Sequence, residues 1–214
     1  THSYMIAKLG VLGGMFDPVH NGHIDAARYA KDLLSLDLVN LIPCNIPNHK
    51  VQSYAPAEDR LAMIELAIRD ESGIGVDDIE LQRPSVSYSV ETLKTIKAQK
   101  LAHNITFILG MDSFNSITDW FNWEELFSLC SFLVLGRSGL SVDKKIAEKV
   151  QLKTRLAPSI PEFFREATGR VFIASNFNID LSSTSVRAML NANLGIEGCL
   201  KREIFEYIKD KNLY

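Results

Sequence analysis

Short apolar runs and helix-period segments take turns along nearly the whole chain, and few architectures accommodate that alternation. Residues 8–12 are mostly apolar and end at Gly13-Gly14, which reads as a buried strand entering a tight turn. Residues 22–36 place Ile24, Ala27, Ala30, Leu33 and Leu34 at amphipathic-helix spacing, and residues 38–42 read as a second strand. A polar loop over 43–56, with three prolines, follows. Residues 57–69 return to helical spacing, with Leu61, Ile64, Ala67 and Ile68 inward and Glu58 and Glu65 at the border. Further strands are predicted over 74–79, 105–110, 131–136 and 170–175. Further helices are predicted over 89–100, with Val90, Leu93 and Ile96 as their stripe, over 184–191, and around 204–208.

This order predicts right-handed βαβ units: an α/β fold, a Rossmann-like doubly wound parallel sheet with a small C-terminal helical part. One domain over 1–214 is expected, its core at about 8–180 and its helical part at about 181–214. In such sheets ligands bind beyond the carboxyl ends of the strands. The turns after Leu12, Ile42, Leu109 and Ile179 are therefore where chemistry is expected.

The 214 residues, 46% hydrophobic and 23% charged, suit a folded globular chain. A net charge of −3 gives no general attraction to nucleic-acid polymers or anionic membranes, so a polyanion must meet a local concentration of donors. No apolar run approaches the ~20 residues that cross a bilayer, and no signal-peptide pattern opens the chain. A cytoplasmic location is expected, and residues 1–4 carry no weight in the reading. Cys44, Cys130 and Cys199 are odd in number and lack a C-x-x-C pair, so reduced core thiols are expected rather than a metal or redox site.

Between the first strand and the first helix stands Gly13-Gly14-Met15-Phe16-Asp17-Pro18-Val19-His20-Asn21-Gly22-His23. Two glycines let the backbone approach a phosphate and can take positive φ. The helix start offers N–H groups and partial positive charge to an anion. His20 and His23, three apart, share a face, where their imidazoles can donate to phosphate oxygens, more strongly if protonated. A Gly-Gly turn alone is only a turn, and an isolated H-x-x-H is often structural. A metal site is the stronger rival, with His49 as third ligand, but it leaves the glycine pair without a use. A second string about 160 residues later, Ser182-Ser183-Thr184-Ser185-Val186-Arg187, places hydroxyls and a guanidinium at another predicted helix start. Ser183 or Thr184 would cap that helix, with Arg187 one turn on.

Together these strings resemble the signatures of the HxGH nucleotidyltransferases. Met15 stands where that family usually has Thr or Ser. Other segments are similar to those of bacterial nicotinate-nucleotide adenylyltransferases: Pro47-Asn48-His49-Lys50, Ser87-Tyr88-Ser89 before Glu91-Thr92-Leu93, Gly110-Met111-Asp112-Ser113, and Asp119-Trp120-Phe121-Asn122-Trp123. Asn48 replaces the second proline of that family's loop. The resemblance implies transfer of the adenylyl group of ATP to nicotinate mononucleotide, releasing diphosphate. It implies ATP contacts at Gly13, Gly14, Met15, Phe16, His20, His23, Gly110, Asp112, Ser183, Thr184 and Arg187. It implies acceptor contacts at His49, Lys50, Ser87, Tyr88, Ser89, Asp112 and Trp120, the last stacking on the pyridine ring while Trp123 joins the core. His20, His23, Arg187 and Lys50 would carry catalysis, with Mg2+ held by ATP phosphates and water rather than by a protein metal site.

Overall fold

The computed structural model describes residues 6–45, 53–99, 102–178 and 180–214. Among them the chain runs β1 (Ile6–Gly14), α1 (Asn21–Leu34), β2 (Leu38–Pro43), α2 (Ala57–Ile68), β3 (Ile74–Val76), α3 (Ser89–Gln99) and β4 (Ala102–Gly110). It continues through α4 (Met111–Phe114), α5 (Trp123–Leu129), β5 (Ser131–Leu135), α6 (Lys144–Lys149), α7 (Leu152–Arg155), α8 (Ile160–Phe163), β6 (Val171–Ala174), α9 (Ser183–Asn191) and α10 (Arg202–Lys211). The strands form one six-stranded sheet in the order β3-β2-β1-β4-β5-β6, the doubly wound arrangement the alternation predicts. Lys8 lies opposite Asn104, Ile108 opposite Leu133 and Leu133 opposite Phe172, all in parallel register. All five residues of β5 are buried, as befits a parallel strand covered on both faces.

Two kinds of element depart from the reading. Residues 111–170 hold α4 to α8, each four to seven residues long, too short to display the apolar repeat that reveals a helix. β3 stops at Val76 rather than Ile79. In α2 the buried face is Arg60, Met63, Ile64 and Ala67, with Leu61 and Ile68 only half-buried. Hydropathy places an arginine outside, whereas backbone carbonyls pull this one in. Of the cysteines only Cys130 is buried; Cys44 and Cys199 are half-buried, and all three are free. No described helix is long and apolar enough to cross a membrane.

The chain packs as two compact units. One comprises Thr1–Leu12, Ala30–Val39 and Tyr88–Asn178. Its core gathers Phe107, Phe114 and Phe127 around Phe132, beside Leu9, Val11, Ile105 and Ile108. Gly10 lets these layers meet: a Cβ there would lie 2.8 Å from Leu36, 3.0 Å from Val39 and 3.1 Å from Ile108. The other unit comprises Gly13–Tyr29, Asn40–Ser87 and Ile179–Tyr214. Here α10 buries Ile204 and Ile208 and lies on α2, with the Tyr207 hydroxyl donating to Asp59 at 2.6 Å and Lys201 donating to the Leu66 carbonyl at 3.4 Å.

Overpacking predicts that Gly10→Ala lowers stability by about 1–2 kcal/mol with an unchanged denaturant slope, measured by urea unfolding. Wild-type stability in that variant would contradict the close packing.

Candidate active site

β1 runs through Gly13 and Gly14, so the glycine pair ends the strand rather than forming the turn expected there. A Cβ built at Gly13 meets nothing within 4 Å, so the missing side chain leaves open space beside the backbone; at Gly14 it would touch the Phe16 ring at 3.5 Å. The left-handed residue is Phe16, with φ of 51°, and neither glycine uses the freedom the sequence suggested. Phe16 is buried, its ring edge-on to His23 at 4.8 Å.

His20 stands at the head of α1. The His23 ring folds back so that its Nδ1 accepts the His20 backbone N–H at 3.1 Å, as a glutamate does in a capping box. A backbone N–H can only donate, so Nδ1 carries no proton and the neutral ring holds its proton on Nε2. The two imidazoles stack at 3.7 Å, 24° from parallel. Burial pushes the His20 imidazole down to about 4. Burial, and then the charge His20 would bring, holds His23 well below the ordinary imidazole range. Of the two donor forms the sequence left open, the neutral one is present: two stacked, desolvated rings stay neutral near pH 7 and offer N–H donors, not charge. The bare helix start is corrected. The Asn21 amide donates to the Cys199 carbonyl at 2.8 Å and its side chain to Gly198 at 2.9 Å, so the first amide of α1 is already taken.

The second signature docks onto the first. Ser182, not Ser183 or Thr184, caps α9, exchanging bonds with Ser185 in a reciprocal box. That leaves the Ser183 hydroxyl to donate to the Pro18 carbonyl at 2.9 Å. Arg187 donates to the Asp17 carbonyl at 2.7 Å and to Thr184 Oγ1 at 3.3 Å, and lies 4.1 Å over the Tyr54 ring. Two of its five N–H donors are thus spent on orienting it. His20, His23 and Arg187 all belong to one unit.

Two buried charges missed by the sequence reading organise this unit. Asp17, 4% exposed, accepts from the Tyr54 amide at 2.6 Å, the Ala55 amide at 3.1 Å and the Tyr214 hydroxyl at 2.6 Å. Burial and that bond push the Tyr214 phenol upward. Arg60, fully buried, donates to the carbonyls of Met15 at 2.8 Å, Cys44 at 2.8 Å and Ala55 at 3.3 Å. The available signal for Asp17 was its place inside the Phe16-Asp17-Pro18 string; for Arg60 it was a charge in register with Met63, Ile64 and Ala67.

The remaining candidates are placed as follows. Ser87 is half-buried in the same unit as the histidines. In the other unit Tyr88 lies against Phe121 at 4.7 Å, and Ser89 opens α3. Gly110 precedes α4 with extended backbone, and Asp112 is exposed in that helix. Trp120 packs edge-on to Phe107 at 5.8 Å. Trp123 is half-buried beside Phe127, not in the core as expected, because it opens α5 at the surface. Phe121, about half exposed next to Tyr88, was passed over in the sequence. His49 and Lys50 lie outside the described residues. Among the described residues no three His, Cys, Asp or Glu side chains gather to hold a metal.

The doubly wound sheet carries paired imidazoles just after its first strand, and residues 11–189 match the cytidylyltransferase-like family. The chain is 38% identical over 210 residues to the probable nicotinate-nucleotide adenylyltransferase of Shewanella pealeana, covering 97% of this chain and 95% of that one. It is 35% identical over 216 residues to the protein of the same name from Desulfatibacillum aliphaticivorans, covering 97% and 99%. Plasmodium falciparum nicotinic acid mononucleotide adenylyltransferase complexed with NaAD shares the fold, with a TM-score of 0.74 at 19% identity over 96% of both chains. The chain belongs to the cytidylyltransferase-like family and, within it, to the nicotinate-nucleotide adenylyltransferases.

The depressed His20 pKa fixes the sign of a stability effect. Above about 6.5 the ring is neutral whether folded or unfolded, and it adds no pH dependence. Below that the unfolded chain takes a proton that the folded ring refuses until about pH 4, so stability falls across this window. His20→Gln should lessen the loss between pH 7 and 4.5 by about 2–3 kcal/mol, read by urea unfolding at both pH values. An identical loss in the variant would refute a neutral, buried His20.

Proposed function

We propose that this chain is a nicotinate-nucleotide adenylyltransferase of NAD biosynthesis, joining ATP and nicotinate mononucleotide to give nicotinate adenine dinucleotide and diphosphate, and that it acts in the cytoplasm. The observation that carries the reading is the assembly of His20, His23 and Arg187 about the Asp17-Pro18 segment. The identity to curated relatives over nearly the whole chain supports it. The acceptor's phosphate is already anionic near neutral pH, so the reaction needs no general base. Its oxygen attacks the α-phosphorus of ATP in line; the new P–O bond forms as the bond to the β-phosphate oxygen breaks, and its electrons leave with diphosphate. The protein's task is to position the groups and spread the developing charge.

In this reading the Nε2–H groups of His20 and His23 donate to oxygens about the α- and β-phosphates, and Arg187 and Lys50 offset charge on diphosphate and acceptor. The space beside Gly13 admits the triphosphate, lined by the backbone of Gly14, Met15 and Phe16, while Thr184, Ser183, Gly110 and Asp112 complete the nucleotide's surroundings. Ser87, Tyr88, Ser89, His49 and Trp120 receive the acceptor. Mg2+ travels with the ATP phosphates, and no protein ligand is assigned to it.

The deciding experiment supplies ATP and Mg2+ with a panel of mononucleotide acceptors and reads the dinucleotide and diphosphate together. Nicotinate mononucleotide should be preferred over its amide, with both products in equal amounts. Diphosphate or phosphate release that needs no acceptor would replace transfer with hydrolysis. His23→Ala should fold normally and lose roughly 10²–10³ in kcat, the cost of one transition-state donor. Trp120→Ala should raise the acceptor KM and leave that of ATP nearly unchanged; the reverse pattern would move the pyridine pocket elsewhere.

A further inference from the structure

Arg60 is the most deeply buried charge among the described residues, at 0% exposure. Its hydrogen bonds go to three backbone carbonyls: Met15 just after β1, Cys44 just after β2, and Ala55 just before α2. Burying a guanidinium is costly unless its donors are satisfied. Burial does lower its pKa, with the Asp17 carboxylate opposing that shift. An apolar side chain there would leave those carbonyls without a donor, so it is the carbonyls themselves that call for explanation.

The Met15 carbonyl supplies it. In a trans peptide the C=O and the following N–H point in opposite directions. With the Met15 oxygen held toward the interior by Arg60, the Phe16 N–H is turned the other way. Phe16 has φ of 51°, a left-handed conformation unfavourable for an aromatic residue. Rotating the Met15–Phe16 peptide by half a turn would carry that φ to about −130°, out of the left-handed region. It would also turn the Met15 carbonyl outward, where its partial negative charge would repel a phosphate. Local backbone preference thus favours the wrong orientation, and the Arg60 bond opposes it.

We propose that Arg60 is a positioning residue: it holds the Met15–Phe16 peptide so that the Phe16 N–H, and not the Met15 carbonyl, faces the triphosphate. The same grip draws the Cys44 and Ala55 carbonyls inward, leaving the turn with donors toward an anion and acceptors toward the core. This deepens the function proposed above and rests on its nucleotide site. The Met15 side chain, which lacks the hydroxyl usual at this position in the resembling family, makes the turn's backbone donors the more needed.

The test has two arms. In wild-type protein, backbone amide NMR during titration with an ATP analogue, and separately with inorganic tripolyphosphate, should move the Phe16 amide downfield with both ligands. In Arg60→Met and Arg60→Lys, checked for folding by circular dichroism, KM for ATP should rise roughly 10- to 100-fold, the loss of a hydrogen bond to a charged group. The acceptor KM should stay within about twofold and Arg60→Lys should recover part of the loss by reaching one carbonyl. Folded variants with unchanged ATP KM would overturn the proposal. So would an equal rise for both substrates, which marks a general structural role. If neither variant folds, a Phe16 amide that ignores both ligands while His23 responds overturns it, and one that moves with both supports it. A wild-type protein that moves the Phe16 amide yet transfers nothing to any acceptor would sink the proposed reaction and leave Arg60's role standing.

Discussion

A neutral imidazole serves a phosphate only as a hydrogen-bond donor, and the bond from the His20 amide to His23 Nδ1 is what makes His23 one. It fixes the tautomer, places the proton on Nε2 and turns the ring back over the start of α1. The stacked His20 ring and the edge of Phe16 then keep water from the pair, which depresses both pKa values. In the proposed function, a chain of net charge −3 receives a highly charged nucleotide in this way without assembling a strongly cationic surface. In that proposal the fixed positive charge comes from Arg187, which the Asp17 carbonyl, Thr184 and the Tyr54 ring hold in place.

Asp17 gives this arrangement its rigidity. Its carboxylate collects amides from Tyr54 and Ala55 and the hydroxyl of Tyr214, while its own carbonyl receives Arg187. Ala55 is gripped at both ends, its N–H by Asp17 and its carbonyl by Arg60. One buried anion and one buried cation thereby connect the turn after β1, the start of α2 and the start of α9. Such satisfied networks in a low-dielectric interior specify a single geometry, and a nucleotide site needs that more than it needs stability.

The fold was legible wherever an element was long enough to repeat its pattern. β1, α1, β2, α3 and β5 carry clear runs or stripes; α4 to α8 each span too few turns to do so. At the candidate site, the two signature strings drew attention to the histidines and Arg187, which the fold gathers in one unit, because glycine pairs, imidazoles and a capped arginine are rare together at such spacing. The supporting residues stayed hidden for physical reasons. Arg60 sits inside because three carbonyls from distant segments satisfy it, and no linear pattern reports carbonyl directions. Tyr214 reaches Asp17 across almost the full sequence. The protonation state of the histidines could not be read from the sequence because desolvation depends on three-dimensional surroundings, among them the mutual stacking of the two rings. The left-handed turn fell to Phe16 rather than to the glycines, which serve by leaving space.

The most direct measurement is 15N spectroscopy of the His23 imidazole at pH 7, before and after saturation with an ATP analogue. The account requires a non-protonated Nδ1 in both spectra and an Nε2–H that shifts as the triphosphate binds. A ring protonated at both nitrogens, or one indifferent to a saturating analogue, would contradict it.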